Sequence, residues 1–202
     1  MEGIENISLK DVEISNKLNF RIKLLGISEI VDGKLFERVH PCLVNKDSYI
    51  GNVNGVMNAV ITEGEPVGES VLQGEGAGPG PTSSALMSDL LSILRGNIKF
   101  PFGIPNIKRK SIKVFNYDNY INSLYLRFEV KDKPGVLAQI TNRLALKNIS
   151  VERLIQIPNY KNKTASIVII THKSKELDAQ HCINAISKSK NILKYPTLIR
   201  LL

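Results

Sequence analysis

The feature that most constrains the fold is the regular change of apolar pattern from residue 124 onward. A period-two run from Leu124 to Val130 predicts a strand, and helical spacing follows the turn Asp132–Gly135. Two more strand patterns, an amphipathic helix over Lys175–Lys188 and a last strand from Ile192 complete the series. The order βαββαβ within about 79 residues is typical of a ferredoxin-like sheet with two helices on one face.

The first half predicts a different arrangement, with strand pairs and short turns. Ser8 and Asp11 have the spacing of a capping box at the start of a helix. Asp32-Gly33 is the dipeptide expected in a two-residue hairpin turn. Period-two runs predict four strands, at residues 21–27, 35–44, 53–62 and 67–73.

A glycine-rich stretch, Gly74–Thr82, follows the last of these strands and contains four of the fourteen glycines. Glycines this close together allow positive φ and close approach of the backbone to another surface. We expect Thr82 to be the N-cap of the next helix, with free backbone N–H groups facing the loop. Two interpretations stay equal at this point: a loop facing a phosphate or cofactor, and a tight corner between strand and helix.

The helix predicted over Thr82–Arg95 is apolar around most of its circumference. A helix at the surface of a domain would keep one polar face. Little apolar sequence in residues 1–73 is left to cover it, so we expect another domain or a second chain to do so. The alternative is a well-buried helix of the same domain.

Charge is unevenly distributed along the chain. The net charge is +8, but residues 1–100 carry 9 basic and 13 acidic side chains, and residues 101–202 carry 18 and 6. This asymmetry predicts two domains joined by a linker over residues 101–122. The linker includes the basic run Lys108–Lys110. It has no recognition helix and no glycine–aromatic strand signature, so nucleic acid is not a predicted partner.

Other composition features exclude several classes of protein. No apolar run is long enough to span a bilayer, and the first residues have no basic, hydrophobic leader pattern, so we expect a cytoplasmic protein without a membrane partner. Cys42 and Cys182 lie far apart and match no metal or redox spacing. The three histidines are equally scattered, and no metal site is predicted.

The turn Asp132-Lys-Pro-Gly-Val-Leu137, with Lys147–Ser150 before the second strand, resembles the signature of the ACT domain. That family is a small-molecule regulatory module of amino-acid enzymes, and the resemblance covers residues 123–202. It implies an amino-acid effector, with threonine the first candidate, bound where two modules pair.

Carried over by position, the resemblance implies that Asp132, Gly135 and Asn148 contact the effector. Backbone N–H groups at the start of a helix can receive a carboxylate, and short polar side chains can receive an ammonium group. The alternatives are structural: a favourable turn and helix start at Gly135, and a helix C-cap at Asn148.

The first half resembles the end of the catalytic core of the homoserine dehydrogenase family. The segments that carry the resemblance are Ile22–Gly26, Arg38–Val44, Val53–Val60, and the glycine stretch with Pro81, Thr82 and Asp89. The family converts aspartate semialdehyde and homoserine into each other with NAD(P). By this resemblance Gly78 contacts the nicotinamide end of the cofactor, and the strands around Asn58 belong to a sheet used for dimerisation.

The resemblance also implies which parts of the enzyme lie elsewhere. The family's nucleotide-binding Rossmann domain and catalytic lysine precede the region that matches Met1. Lys10 and Lys17 do not have the matching context, so no catalytic residue is assigned. We therefore expect the isolated chain to be inactive, with a separate chain that supplies the N-terminal half as a possible partner.

The predicted fold class is α+β: a partial mixed-sheet substrate and dimerisation domain in residues 1–100, then a ferredoxin-like ACT domain in residues 123–202. The predicted function is that of the carboxyl-terminal part of an NAD(P)-dependent homoserine dehydrogenase, in a homo-oligomer formed through the sheet and ACT domains. The alternative is a regulatory and assembly module that senses threonine and does not catalyse.

Overall fold

The computed structural model describes residues 1–97 and 103–202. The chain forms two compact units: unit 1 combines residues 1–45 with 113–202, and unit 2 consists of residues 46–112. Residues 101 and 102, where the predicted linker begins, lie outside the described residues.

The described residues form four helices and ten strands. The helices are α1 (Leu9–Lys17), α2 (Pro79–Leu94), α3 (Val136–Ala145) and α4 (Glu176–Ser187). The strands are β1 (Phe20–Val31), β2 (Lys34–Asn45), β3 (Met57–Gly64), β4 (Gly68–Glu75), β5 (Ile121–Asn122), β6 (Leu124–Lys131), β7 (Val151–Asn159), β8 (Thr164–Thr171), β9 (Ser174–Lys175) and β10 (Thr197–Leu201).

Unit 1 is built on a six-stranded sheet with the order β1-β2-β10-β6-β8-β7. All neighbouring strands are antiparallel except β2 and β10, which pair in parallel at Cys42 and Leu43 of β2. The predicted α+β class and βαββαβ order are confirmed. The sheet is wider than predicted, however, because β1 and β2 from the first half extend it.

The spatial units therefore divide the chain at other positions than the predicted boundaries 1–100, 101–122 and 123–202. Residues 1–45 share a sheet with the last ninety residues. A period-two pattern predicts that a segment is a strand and which residues share a face. It does not predict which strand lies beside it, because any exposed strand edge offers the same backbone groups.

Local chemistry explains the first elements of unit 1. The hydroxyl of Ser8 accepts a hydrogen bond from the amide of Asp11, and the Asp11 carboxylate accepts one from the amide of Ser8, which confirms the capping box. At the hairpin, Asp32 and Gly33 have φ of 50° and 70°. Two successive positive φ angles are those of a type I′ turn, which holds β1 and β2 in register from Val31 opposite Lys34.

The sheet of unit 1 has apolar side chains on both faces. One face packs against α3 and α4, around Leu126, Phe128 and Ile183. The opposite face, around Tyr125 and Ile199, packs against Ile14 of α1. Burial of the apolar surface of this core stabilises the fold by about 25 cal/mol for each Å² removed from water.

A buried ion pair lies under α1. The Asp11 carboxylate is fully buried and accepts two hydrogen bonds from the Arg127 guanidinium, at 2.5 and 2.8 Å. Burial alone would raise the pKa of Asp11, but the hydrogen bonds from Arg127 and Ser8 outweigh it and hold that pKa below its ordinary value. The pair fixes α1 to the sheet through a charged contact. Removal of one of the two charges alone would strongly lower the free energy of unfolding.

Unit 2 contains a two-stranded hairpin, β3 with β4, and the long helix α2. Among its described residues only Gly51 is buried. None of the residues of α2 is buried, and its exposed apolar side chains are Leu86, Met87, Leu90, Leu91, Ile93 and Leu94. The structure thus contradicts the alternative of a helix well buried in its own domain, since the described residues of unit 2 leave every residue of α2 unburied.

The predicted N-cap of α2 is wrong. Its N-cap residue is Gly78, with φ of 122°, and the helix begins at Pro79, three residues before Thr82. The Thr82 amide already donates to the Gly78 carbonyl at 3.1 Å, so it lies inside the first turn. Proline is well suited to a first helical turn because its missing N–H would have no partner there. The prediction considered only a capping hydroxyl and therefore placed the start of the helix too late.

Candidate functional site

Unit 1 has a cleft of about 410 Å³ at the start of α3. The turn after β6, the first turn of α3 and single residues of β7 and β8 line it. Val130, Val136 and Ile167 form its apolar base, and Lys131, Asp132 and Gln156 bring polar groups to it. Small-molecule sites commonly combine an apolar base with a few polar groups in this way.

The amide end of α3 faces this cleft. Gly135 is the N-cap residue and adopts a left-handed conformation with φ of 87°, which only glycine adopts without strain. No side chain caps the helix. The amides of the first turn have no carbonyl partner within the helix, although that of Val136 donates to the Lys133 carbonyl of the preceding turn at 3.4 Å. The helix dipole adds partial positive charge there. The cleft is therefore suited to a carboxylate.

Asp132 brings the acidic group of the site. Its amide donates to the Lys163 carbonyl at 3.0 Å, which fixes the turn to the loop between β7 and β8. Its carboxylate accepts a hydrogen bond of 3.3 Å from the side-chain amide of Gln156. Asp132 and Gly135, both predicted from the sequence, thus line one cleft.

Asn148 lies elsewhere. It follows the far end of α3, which at ten residues is about 15 Å long. Its φ of 54° is left-handed, and its amide donates to the Ala145 carbonyl at 2.9 Å. A left-handed residue just past the end of a helix is common, but the C-cap of α3 is Leu146, two residues before Asn148, so the predicted C-cap position is wrong. The structure does not bring Asn148 to the cleft that contains Asp132 and Gly135.

The sequence prediction missed Gln156. It lies on β7 between Ile155 and Ile157, which pack on the α1 face of the sheet. Since neighbouring residues of a strand point to opposite faces, Gln156 faces the helix side, where the cleft lies. This alternation was visible in the sequence, but the neighbour of β7 in the sheet was not.

The predicted cofactor contact, Gly78, lies in unit 2 at the start of α2. Its positive φ explains the need for glycine. At Gly76 a side chain would collide with Asn58 of β3, so this second glycine has a packing role. The loop does not fit a phosphate cradle, since Pro79 and Pro81 have no N–H and the Thr82 amide is bonded to Gly78.

Metal-binding and membrane-spanning features are not found in the described part of the chain. No three side chains of the metal-binding types His, Cys, Asp and Glu lie close enough together there to hold an ion. Within residues 1–97 and 103–202, no helix has the length and apolar character needed to cross a membrane.

Comparison with known families identifies the module that contains the cleft. The family described as ACT domain matches residues 124–190, which include β6, the turn at Asp132 and both helices of the βαββαβ fold. A second family, described as homoserine dehydrogenase, matches residues 1–91. A chain that matches both families belongs to a class in which part of a dehydrogenase is joined to a regulatory module.

Whole-chain relatives identify the family further. Homoserine dehydrogenase of Neisseria gonorrhoeae is 36% identical over 207 residues, and that of Synechocystis is 33% identical over 211 residues. Each alignment covers 100% of this chain and 48% of the relative. The chain belongs to the homoserine dehydrogenase family, as the half that ends in the ACT domain. It spans about half the length of the curated relatives it matches.

Solved structures agree with this assignment. A homoserine dehydrogenase from Thiobacillus denitrificans is similar with a TM-score of 0.86 and 31% identity, over 100% of this chain and 47% of that one. A homoserine dehydrogenase from S. aureus gives a TM-score of 0.60 and 25% identity, over 100% and 46% of the two chains.

Proposed function

We propose that this chain is the effector-sensing and assembly half of an NAD(P)-dependent homoserine dehydrogenase, and that an amino acid binds in its cleft. Threonine is the first candidate. The cleft at the uncapped amide end of α3, with Asp132 and Gln156 beside it, is the observation that carries the proposal.

The chemistry of an amino acid matches the two sides of the cleft. Its carboxylate would accept hydrogen bonds from the first-turn amides of α3. Its ammonium group would donate to the carboxylate of Asp132 and to the amide oxygen of Gln156. Val130, Val136 and Ile167 would receive a short aliphatic side chain.

Isothermal titration calorimetry with threonine tests the proposal. We expect binding by the purified chain, and at least tenfold weaker binding after Asp132→Ala, because a charge-assisted hydrogen bond contributes about 1.5–3 kcal/mol. Asp178→Ala is the matched control, since Asp178 lies on α4 and pairs with exposed Lys147 at 3.3 Å. Equal loss in both variants, or no threonine binding at all, would refute the proposed effector site.

The catalytic part of the proposal concerns the whole enzyme. Reduction of aspartate semialdehyde to homoserine needs a positioned group for proton transfer, groups that hold the substrate ammonium, and a nicotinamide cofactor that supplies the hydride. We propose that a nucleotide-binding domain outside these 202 residues contributes those parts, so the isolated chain does not catalyse the reaction. Homoserine formation by the purified chain alone, with NADPH, would contradict this.

Gly78 is proposed to contact the nicotinamide end of the cofactor in the assembled enzyme. Its missing side chain and positive φ support a close backbone approach there. Gly78→Ala should raise the Michaelis constant for the cofactor in an enzyme completed with a nucleotide-binding domain, and Gly96→Ala, at the other end of α2, is the control. Both glycines have positive φ, 122° at Gly78 and 69° at Gly96, so both replacements strain the backbone, and the strain is larger at Gly78.

We also propose a cytoplasmic homo-oligomer, assembled through the sheet and ACT domains. The exposed apolar side chains of α2 support the need for a covering surface. Analytical ultracentrifugation should give a species larger than the 22.4 kDa monomer. A monomer at all concentrations would contradict the assembly proposal but would leave threonine binding to be judged by calorimetry.

A further inference from the structure

A polar region of unit 1, separate from the cleft, lies between the sheet and the segment 113–122, next to the start of α4. Its lower side is formed by β2 and β10, whose residues Arg38, His40 and Arg200 are buried on one face. Its upper side is the segment 113–122, which returns the chain to unit 1, together with β9 and the start of α4. We call these residues the polar layer: Arg38, His40, Arg200, Tyr117, Asn122, Ser174 and Glu176.

Direct contacts join the two sides of the polar layer. The Tyr120 hydroxyl accepts a hydrogen bond of 2.8 Å from Arg38, whose guanidinium also lies 4.5 Å from the centre of the Tyr120 ring. The Arg200 guanidinium donates to Glu176 at 2.7 Å and lies 5.5 Å from the centre of the Tyr117 ring. Burial raises the pKa of Tyr117, and its interaction with the nearby Glu176 carboxylate raises it further.

Further contacts place the remaining residues in the same layer. Asn122 donates to Glu176 at 3.2 Å and is paired with Ser174 across the short sheet of β5 and β9. On β2, His40 lies two residues before Cys42, the position that pairs with Arg200. Alternation along the strand therefore places His40 on the face that Arg200 occupies.

Polar atoms without a protein partner are concentrated here. In the part of the chain that the structure describes, the buried side-chain nitrogen and oxygen atoms that lack a hydrogen-bond partner are Arg38 Nε, His40 Nε2, Tyr117 Oη, Asn122 Oδ1 and Ser174 Oγ. All five belong to the polar layer, two on its lower side and three on its upper side. Buried polar atoms in proteins are rarely left unpaired, because each costs free energy to desolvate.

The chemical types of these five atoms define what can occupy the layer. Arg38 Nε and the two hydroxyls can donate a hydrogen bond, and Asn122 Oδ1 can accept one. His40 Nδ1 lies 3.0 Å from the Pro41 carbonyl, which can only accept, so that nitrogen carries the proton and Nε2 is an acceptor. A simple anion would be repelled by the acceptor atoms, and a simple cation would be repelled by the arginine. Water both donates and accepts.

We propose that the polar layer is a hydration site, in which at least two ordered water molecules bridge β2 to the segment 113–122. One buried water makes about three hydrogen bonds, so a single molecule cannot satisfy five atoms on two sides. The segment is thus held on the sheet through water as well as by the direct contact of Tyr120 with Arg38.

Oxygen-17 magnetic relaxation dispersion on the full chain tests this proposal, since it counts long-lived internal waters. We expect such waters in the parent chain and fewer after Tyr117→Phe, which removes one partner from the layer. Tyr125→Phe is the matched control, because that hydroxyl has a protein partner, Asp11, at 3.2 Å. An unchanged count after Tyr117→Phe would overturn the proposal.

Urea unfolding gives an independent readout. If the Tyr117 hydroxyl binds water, its removal should leave the unfolding midpoint equal or lower. If the layer is dry, Tyr117→Phe removes an unpaired buried hydroxyl and should raise the midpoint. A raised midpoint, or a crystal structure with a molecule other than water between Tyr117 and His40, would also overturn the proposal.

Discussion

Units 1 and 2 use apolar residues in opposite ways, although they belong to one chain. In unit 1, the central strands of the sheet are covered on both faces, and residues such as Leu126 and Phe128 are fully buried. In the described part of unit 2, only Gly51 is buried, and leucines of α2 such as Leu90 and Leu94 are exposed. The first unit contains its own core, whereas the second presents a surface that another surface should cover.

The contrast also applies to charges. Unit 1 buries acidic groups beside arginines, as in the pairs Asp11–Arg127 and Glu176–Arg200. Such pairs require rigid surroundings, because their hydrogen bonds must offset the desolvation of both ions. We therefore expect substitutions in unit 1 to change the stability of this chain strongly and those in α2 to change its association.

The largest expected effect is that of Asp11→Ala. It removes one of the two carboxylates that pair with the guanidinium of Arg127, while Glu129 stays within 2.5 Å. Complete loss of a buried partner costs about 3–5 kcal/mol, so we expect a loss of up to that size. Urea unfolding followed by circular dichroism measures this change in the free energy of unfolding. The matched variant Asp89→Ala, at an exposed position of α2, should change it by less than about 0.5 kcal/mol. Similar losses in both variants would remove the distinction between the units.

A matched pair of leucines sharpens the same comparison through packing alone. Leu126 is 0% exposed and Leu90 is 48% exposed. Leu126→Ala creates a cavity in the core and should lower the free energy of unfolding by about 3 kcal/mol. Leu90→Ala should leave it within about 0.5 kcal/mol. A large loss for Leu90→Ala in the monomeric chain would show that α2 is covered after all.

The third prediction concerns pH. Burial lowers the pKa of His40 below its ordinary value of 6.5, as do the charges of Arg200 and Arg38, while Pro41 and Glu2 oppose this change. Below pH 6.5 the unfolded chain binds a proton that folded His40 does not yet bind. The free energy of unfolding should therefore fall as the pH falls from about 6.5 toward the folded pKa, with a slope of at most about 1.4 kcal/mol for each pH unit.

Replacement of His40 checks that assignment. His40→Gln should flatten the dependence of the unfolding free energy on pH just below 6.5. The exposed His172 provides the control, and His172→Gln should leave the slope as it is in the parent chain. A slope that persists in His40→Gln would assign the effect to another group.

The smallest expected effect on unit 1 comes from charges placed on α2. Leu90→Glu combined with Leu94→Glu should lower self-association, measured by analytical ultracentrifugation, and leave the unfolding of unit 1 unchanged. Ser84→Glu adds a charge to the same helix without removing apolar surface and should leave association closer to that of the parent. Unaltered association in the double variant would place the contact surface elsewhere.

Patterns that depend on near neighbours in the sequence predicted the structure well. The capping box at Ser8, the turn at Asp32 and the βαββαβ order each follow from spacing over a few residues. The turn at Asp132 and Gly135 likewise predicted half of the cleft.

Features that depend on distant pairing were not predicted. β2 lies beside β10 although Arg200, the partner of Cys42, comes 158 residues after it in the chain. Gln156 reaches Asp132 only because β7 joins the sheet beside β8, next to the strand that leads into the turn at Asp132. Asn148 was placed with the cleft by its resemblance to a motif, while it lies just past the other end of α3.

The way β2 spans unit 1 has a consequence for any shortened version of the protein. The chain leaves unit 1 after Asn45, and it returns at Lys113, whose carbonyl accepts a hydrogen bond of 2.9 Å from the amide of Leu35. Ten residues of extended strand separate Leu35 from Asn45, or about 33 Å. A linker that replaces residues 46–112 therefore needs roughly ten extended residues. A shorter linker would break the strand pairing at one end of β2.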